Sequence, residues 1–305
     1  MKIGVVDVDT SHPQNWIPIE RELGHEVTCV WDGGAVHPKE YVEKFATDHK
    51  LTVCTSLEDM VKQVDCAIIH GCDWDTHVTK AQPFVEAGKS VLIDKPVAGS
   101  VADLKQFQTW VDQGARISGG SSLRFCAEVA AWLAVPVEER GTPHTVVCGC
   151  AVDDFNYGIH AYSMLGCILG AGAKSVRHLG KGVQRRIQIT WPDGRMGFLI
   201  VGQGAVWMPF YAQITTERKV HQIVADNKTL YRCLLQAALP YLSGQTPPPI
   251  SFQELVEPER WAIAARLSWQ NGDAEIQLAD LSEKDSGYDG ADFAVDYRKS
   301  RYPKG

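Results

Sequence analysis

The residues best placed to do chemistry follow a short apolar run, Val91 to Ile93, which is typical of a strand buried on both faces. Asp94, Lys95 and Pro96 come directly after it. A parallel strand that ends on charged residues delivers them to the carboxyl edge of its sheet, where open α/β folds bind ligands. Pro96 cannot donate to the ladder, so the chain leaves the sheet there with Lys95 pointing out of it. The pattern predicts either a functional ammonium group at this edge or an ordinary solvated strand end.

A second chemically informative position is Asp32, which closes a predicted strand at residues 26–31 and precedes two glycines. In a Rossmann unit an acid here accepts hydrogen bonds from the adenosine ribose and disfavours a 2′-phosphate, which favours NAD over NADP. An acid that simply begins a turn before two glycines is the alternative.

His77 follows the fourth predicted strand, where it either starts a helix or contacts a ligand.

Short apolar strands alternate with helices over the first 120 residues. The predicted strands are residues 2–8, 26–31, 52–54, 66–70, 91–93 and 116–118, and the predicted helices are residues 12–23, 39–49, 57–62, 76–87 and 101–113. This alternation predicts an α/β fold with a doubly wound parallel sheet. A Gly-Gly-Ser-Ser run at residues 119–122 marks a domain boundary. We therefore assign residues 1–120 to a Rossmann dinucleotide-binding domain.

The remaining residues, 121–305, show consecutive strand-like runs separated by turn signals. The predicted strands are residues 145–152, 176–179, 185–191, 196–201, 211–216 and 219–225, and the predicted helices are residues 127–133, 158–169, 230–242 and 258–271. This order predicts an α+β domain with an open, mainly antiparallel sheet for substrate binding and oligomerisation. By analogy with such sheets we expect a homodimer or homotetramer. Residues 282–305 are polar and form either a docking tail or a mobile end.

The composition limits the possible functions. A chain of 305 residues with 45% hydrophobic residues is too long for one simple core. The net charge of −7 gives no reason to expect a nucleic-acid partner or an anionic membrane. The nine cysteines show neither zinc-site nor disulfide-framework spacing. Because there is also no leader segment and no apolar run of membrane-spanning length, we expect a cytoplasmic protein that acts on a small molecule.

Taken together, these motifs resemble the Gfo/Idh/MocA oxidoreductases, named for glucose–fructose oxidoreductase, inositol dehydrogenase and rhizopine catabolism. That family combines a Rossmann domain ending in (Glu/Asp)-Lys-Pro, an Arg-Phe pair, and an Asp-x-Gly-x-His segment that enters an α+β domain. The corresponding pieces here are Asp94-Lys95-Pro96, Arg124-Phe125 and Asn156-Tyr157-Gly158-Ile159-His160. His77 matches the histidine that members carry after the fourth strand. The resemblance spans nearly the whole chain.

The resemblance implies hydride transfer between NAD(P) and a sugar, cyclitol or sugar acid. Lys95 and His160 are the implied catalytic pair, because hydride leaves carbon only as the hydroxyl proton leaves oxygen. Lys95 would stabilise the developing alkoxide, and His160 would be the base or its relay. Asn156 and Tyr157 fall in the implied substrate segment.

Other implied contacts concern the domain junction and the cofactor. Arg124 either holds a substrate carboxylate or, as we favour, braces the junction between the domains. Lys95 and Pro96 join Asp32 and His77 as implied contacts of the cofactor.

The nucleotide loop departs from the family pattern. The fingerprint G-x-G-x-x-G would occupy residues 7–12, where Asp7, Asp9 and His12 replace all three glycines. Two carboxylates repel a diphosphate unless they point away from it or a cation lies between. The loop still feeds a helix N-terminus, which attracts phosphate, and Thr10, Ser11 and His12 can add donors. We therefore expect residues 9–12 to contact the cofactor.

Three functions remain open at this stage. We favour an NAD-dependent dehydrogenase or reductase, with NADP less favoured. A non-redox isomerase, lyase or hydrolase is the second, since acids and imidazoles at sheet-edge positions could hold a divalent cation; these are Asp7, Asp9, Asp73, Asp75 and His70 or His77. Helix-capping acids explain that group better, so no metal site is assigned. The third is a sugar-binding protein without turnover, which Asn156 supports because an amide cannot take a proton.

Overall fold

A computed structural model describes residues 1–302. The first sheet contains six parallel strands, β1 (Lys2–Val6), β2 (Glu26–Trp31), β3 (Thr52–Val53), β4 (Cys66–Ile69), β5 (Ser90–Ile93) and β6 (Ile117–Gly119). Their spatial order is β3-β2-β1-β4-β5-β6. The order reverses between β1 and β4, which is the point where open α/β sheets bind ligands. The carboxyl ends of β1, β4 and β5 therefore converge on one crevice.

Five helices connect these strands, namely α1 (His12–Glu22), α2 (Lys39–His49), α3 (Leu57–Val61), α4 (His77–Glu86) and α5 (Val101–Asp112). Helices α3 and α5 begin where serine hydroxyls, on Ser56 and Ser100, accept hydrogen bonds from Asp59 and Asp103 backbone N–H groups. Every residue of β4 and β5 is buried, as a parallel strand covered by helices on both faces requires.

The second sheet contains seven strands, β7 (Pro143–Gly149), β8 (Ser175–Lys181), β9 (Arg185–Thr190), β10 (Met196–Val201), β11 (Tyr211–Thr216), β12 (Val220–Val224) and β13 (Ile276–Gln277). Their order is β12-β11-β7-β10-β9-β8-β13. Only the pairing of β10 with β7 is parallel among these strands. A hairpin with Pro-Asp-Gly at residues 192–194 joins β9 to β10, and the Trp191 N–H bonds there to the Arg195 carbonyl.

Helices cover one face of the second sheet and join it to the first. They are α6 (Ala127–Ala134), α7 (Val137–Arg140), α8 (Gly158–Leu169), α9 (Leu230–Leu242), α10 (Phe252–Gln270) and α11 (Gly290–Arg301). Helix α8 is buried along almost its whole length against β7 and β10. Helix α10 packs against α8 and β8 on one side and against α5 and β6 on the other. Helix α9 packs against α1. The two sheets thus share one continuous interface.

The predicted fold class is confirmed, with a mixed, mostly antiparallel second sheet. Two element predictions are corrected. Helix α10 begins at Phe252 and not near residue 258, because Ser251 and Glu254 form a capping box and Pro258 is accommodated inside the helix. The polar tail contains helix α11, which begins where the Asp289 side chain accepts the Asp292 N–H. The predicted boundary at residue 120 stays a prediction.

Across residues 1–302, no helix is both long enough and apolar enough to cross a membrane.

Candidate active site at the crevice between the sheets

A cavity of about 110 Å³ lies at the carboxyl ends of the first sheet, between it and the second. Side chains from both halves of the chain line it, among them His12, Lys95, Tyr157, His160 and Tyr231. The structure therefore brings the two predicted catalytic residues, Lys95 and His160, to one small crevice.

Lys95 enters the cavity from the end of β5. Its Nζ donates hydrogen bonds to the Asn156 backbone carbonyl at 3.0 Å and to Asn156 Oδ1 at 2.9 Å. The Tyr157 ring centroid lies 5.3 Å from the same nitrogen. Burial lowers the pKa of the Lys95 ammonium, while the carboxylates of Asp94 and Asp153 act in the opposite direction. Lys95 is thus a desolvated cation held by neutral oxygens.

The segment that follows Lys95 is fixed from helix α10. The Glu259 carboxylate accepts the Val97 N–H at 3.1 Å, and Glu259 is buried. Pro96, a predicted cofactor contact, is also buried in this segment.

His160 lies in the first turn of α8, and its Nδ1 is 2.7 Å from the Ser121 hydroxyl. The Phe210 ring packs edge-on against the imidazole with centroids 4.8 Å apart. Burial and the charge of Lys95 lower the pKa of His160 well below its ordinary value. His160 is therefore a neutral imidazole, suited to hydrogen bonding and poorly suited to gaining a proton.

A second imidazole, His12, borders the same cavity, and it is bonded to the acid that precedes Lys95. Its Nδ1 lies 2.7 Å from Asp94 Oδ2, and His70 Nδ1 lies 2.8 Å from the same oxygen. The other Asp94 oxygen accepts the Lys95 backbone N–H at 2.7 Å. Burial opposes ionisation, but the bonds to His12 and His70 prevail and hold the pKa of Asp94 well below its usual range. Asp94 is thus a buried carboxylate that accepts from three groups.

The two acids of the nucleotide loop point into the protein. Asp7 has a left-handed backbone with φ of 66°, and its carboxylate accepts from Gly33 N–H at 3.0 Å and Lys80 Nζ at 2.6 Å. Asp9 accepts the Cys72 N–H at 2.9 Å. Burial and the neighbouring Asp7 raise the pKa of Asp9 to about 7. Both carboxylates tie β1 to the ends of its neighbours β2 and β4, and neither faces solvent.

The remainder of the loop keeps donors available to an anion. Ser11 is exposed at the N-cap position of α1, but its hydroxyl makes no capping bond. Thr10 Oγ1 accepts the His12 N–H at 3.2 Å. The Ser11 hydroxyl is therefore available to a phosphate, whereas the first amide of α1, that of His12, is already bonded to Thr10 and the next residue, Pro13, has no N–H.

Asp32 borders a larger cavity of about 630 Å³ at the ends of β2 and β3. Its carboxylate accepts the Val8 N–H at 2.9 Å and the Gly34 N–H at 2.7 Å, and burial raises its pKa. Asp32 therefore organises the loop, and it retains oxygen lone pairs for a ribose. The size of this cavity and the oxygens of Asp32 fit the adenosine portion of NAD.

Helix α11 packs across the loops that follow β2 and β4. Ala294 is buried with Val36 and Cys72 in a small cluster. At its start, Gly290 N–H donates to Asp75 Oδ2 at 2.8 Å, and after its end the Tyr302 hydroxyl lies 2.7 Å from His37 Nδ1. This helix therefore lies next to the larger cavity, which His37 also lines.

His77 and Arg124, two of the predicted site residues, are buried at positions that border neither cavity. His77 is fully buried, with Nδ1 3.0 Å from the Val97 carbonyl and Nε2 2.8 Å from the Gly71 carbonyl, so it cannot contact a cofactor directly. Arg124 is buried against Gly166 and lies 4.0 Å from Glu254. The interpretation of Arg124 as a brace fits this position, and substrate contact does not.

Several residues of the site were not assigned from the sequence. Asp94 belonged to the quoted motif, but its role as the acceptor for His12 depends on loop geometry. Tyr231 and Phe210 carry no motif at all. The Asp153 carboxylate shapes the segment that holds Lys95 by accepting the Tyr157 N–H at 2.8 Å. Within residues 1–302, no group of three or more His, Cys, Asp or Glu side chains could hold a metal ion.

Comparison with known proteins supports the family assignment. Residues 1–118 match the family model of the Gfo/Idh/MocA proteins, described as an oxidoreductase family with an NAD-binding Rossmann fold. Over these residues, which are fewer than half of the chain, the match confirms the predicted resemblance, and the family that it identifies is one of NAD-binding oxidoreductases. No curated protein matches this chain.

Solved structures share the fold over most of the chain. A scyllo-inositol dehydrogenase from Lactobacillus casei, described with bound NAD(H) and scyllo-inositol, is 14% identical with a TM-score of 0.76, covering 92% of this chain and 99% of its own. A UDP-N-acetylglucosamine 3-dehydrogenase from Acidithiobacillus ferrooxidans is 14% identical with a TM-score of 0.74, covering 88% of this chain and 97% of its own. At this identity the likeness is one of fold.

Proposed function

We propose that this chain, whose first 118 residues match the NAD-binding Rossmann fold of the Gfo/Idh/MocA oxidoreductases, is a dehydrogenase that interconverts a hydroxyl and a carbonyl on a sugar, cyclitol or sugar acid. One observation carries the proposal. Lys95 from the first sheet and His160 from the second half of the chain line the same small cavity at the switch point of the sheet. A cation and a neutral imidazole that converge there can bind one oxygen atom of a small polyol.

The roles of these residues follow from their surroundings. NAD, when bound, accepts or supplies the hydride. Lys95 places its charge beside the reacting oxygen in a desolvated site, where it stabilises an alkoxide more strongly than in water. His160, which stays neutral, orients the same oxygen through a hydrogen bond. Tyr157 and Asn156 restrict where Lys95 can point.

The cofactor would be held by residues spread along the crevice. Asp32 is placed to accept from the adenosine ribose, which favours NAD over NADP. The hydroxyls of Thr10 and Ser11, next to the start of α1, supply donors for phosphate. Asp9 and Asp7 do not repel the phosphates of the cofactor, because their carboxylates point into the protein. The ammonium of Lys80 also neutralises the charge of Asp7.

We also propose that the chain forms a homodimer or homotetramer through the uncovered face of the second sheet. Side chains alternate between the two faces of a strand. Leu179, Val220 and Val224 project from the face opposite the helices and are exposed, whereas Ile223 is buried on the covered face. Light scattering at micromolar concentration tests this, and a monomeric mass would contradict it.

The proposed activity is tested by titrating NADH and NADPH into the protein by calorimetry and then assaying cyclitols, aldoses and aldonates with NAD. We expect NADH to bind more tightly than NADPH and at least one polyol to be oxidised. Polyol binding without either cofactor would favour a sugar-binding protein instead. Failure of both cofactors and of all polyols would contradict the proposal.

A further inference from the structure

His12 is the one titratable side chain of the nucleotide loop that reaches the small cavity. Its imidazole packs against two aromatic rings, with centroids 5.7 Å from Trp16 and 5.0 Å from Tyr231. Its side chain is 14% exposed, so it is held in place and yet open to the cavity.

The bond to Asp94 fixes which ring nitrogen carries the proton. Asp94 is ionised and can only accept, so His12 Nδ1 must be the donor across the 2.7 Å contact. In the neutral ring, Nε2 then holds a lone pair. Among residues 1–302, no protein group bonds to Nε2. A carboxylate that orients an imidazole in this way prepares it to accept a proton and stabilises the imidazolium that forms.

Lys95 and His160, the other two candidates, are less suited to accepting a proton. Lys95 Nζ already donates to both oxygens of Asn156, and as a cation it has no lone pair to offer. His160 faces the positive charge of Lys95 and has no carboxylate partner, so gaining a proton there is unfavourable.

We propose that His12 Nε2 is the proton acceptor for the substrate hydroxyl, an inference that rests on the proposed dehydrogenase function. In the direction of oxidation, the C–H bond breaks with its electron pair leaving as hydride to the oxidised nicotinamide. The O–H bond breaks with its proton passing to His12 Nε2, and a C=O bond forms. In reduction His12 returns that proton to the oxygen.

The charged and titratable groups that face His12 come from four elements. Asp94 and Lys95 follow β5, His70 follows β4, Tyr231 lies on α9, and His160 lies on α8. Of these, Asp94 alone carries a negative charge, and it is the group bonded to His12 Nδ1.

The experiment compares wild-type protein with His12→Ala, using whichever polyol and NAD support turnover. We expect kcat to fall by about 100-fold or more with KM little changed, and added imidazole to restore a measurable part of it. His178→Ala is the matched control, because His178 forms a similar 2.7 Å pair with Asp273 away from the cavity. It should leave kcat within about twofold of wild type. Retention of kcat by His12→Ala would overturn the proposal.

A second measurement judges His12 even if no polyol is turned over. Nitrogen NMR of the histidine rings, assigned by the signals lost in His12→Ala, should show His12 Nε2 unprotonated at pH 8. In Asp94→Asn the amide can donate to Nδ1, so the proton should move to Nε2. A protonated Nε2 in the wild type would overturn the role of His12, whereas absent turnover with an unprotonated Nε2 would remove only the dehydrogenase assignment.

Discussion

Asp7 shows how a single residue can replace the loop glycine of a Rossmann domain. A side chain at a φ of 66° is strained, and glycine avoids that strain. Asp7 compensates through its bonds to Gly33 and to the ammonium of Lys80. The loop is therefore held by a buried ion pair where the family pattern relies on backbone freedom.

Removing the cation of this pair should destabilise the fold. Lys80→Met leaves Asp7 buried without its partner, which costs about 3 kcal/mol of unfolding free energy in urea. Lys44→Met is the matched control, since Lys44 forms an exposed ion pair with Asp48 and its loss should change little. Equal effects of the two substitutions would refute the structural importance of the Asp7–Lys80 pair.

Asp9 should make stability depend on pH. Because burial raises its pKa to about 7 in the folded protein, the native state binds a proton that the unfolded chain releases near pH 4. This contribution to stability is complete below about pH 4 and is lost as the pH rises through about 7. Asp9→Asn should therefore match wild type at pH 4 and exceed it by roughly 4 kcal/mol at pH 8. If the unfolding free energies of the two proteins changed with pH in the same way, this would count against a buried, protonated Asp9.

Some residues of the candidate site can be predicted from the sequence, whereas others depend on contacts between distant loops. Lys95 and His160 were predictable because strand ends and motif order fix where they lie. The contact between His12 and Asp94 joins residues far apart in the chain through the shape of two loops, which no local pattern encodes. The sequence left open whether the carboxylates of Asp7 and Asp9 point toward a phosphate or away from it, because their buried partners are visible only in three dimensions.

Strand β6 pairs with the end of β5 and thus positions the segment that carries Lys95. Gly119 on β6 has φ of 142°, and a Cβ there would lie 1.8 Å from the Ile93 carbonyl oxygen. Gly114, with φ of 96°, has open space around it. Both glycines therefore have a positive φ, but only Gly119 lies in close contact with a neighbouring strand.

This difference predicts unequal costs of substitution. Gly114→Ala should cost about 1 kcal/mol of unfolding free energy from backbone strain alone. Gly119→Ala should cost more than about 3 kcal/mol, because the two strands must also separate next to Asp94. Calorimetric unfolding of both variants tests this, and similar melting temperatures would contradict the close approach of β5 and β6.

The elements themselves were largely predictable, since alternating apolar runs and turns define most strands and helices. The start of α10 was missed because a proline was taken as a helix start, although the capping box at Ser251 was present in the sequence. Helix α11 was missed because its apolar surface is small: Ala294 and Gly290 are its buried residues. Its stability comes from docking, and docking is not a property of the segment alone.

For the molecule as a whole, the position of α11 predicts control over nucleotide entry. Ala294→Asp places a charge in the cluster with Val36 and Cys72, so it should undock the helix and raise the affinity for NADH by about tenfold. Val295→Asp, at a neighbouring position that is 51% exposed, should leave affinity unchanged. Calorimetry with NADH distinguishes the two variants, and unchanged binding in Ala294→Asp would show that α11 does not restrict the crevice.

A helix that restricts entry also restricts departure. If α11 closes over a bound nucleotide, the opening of the helix limits the rate at which the nucleotide is exchanged, and the chemical step is faster than this exchange. When the enzyme is mixed with excess substrate, the first catalytic cycle would then produce a rapid burst of reduced cofactor, followed by a slower steady phase. Loosening the Ala294 contact would reduce the difference in rate between the burst and the steady phase.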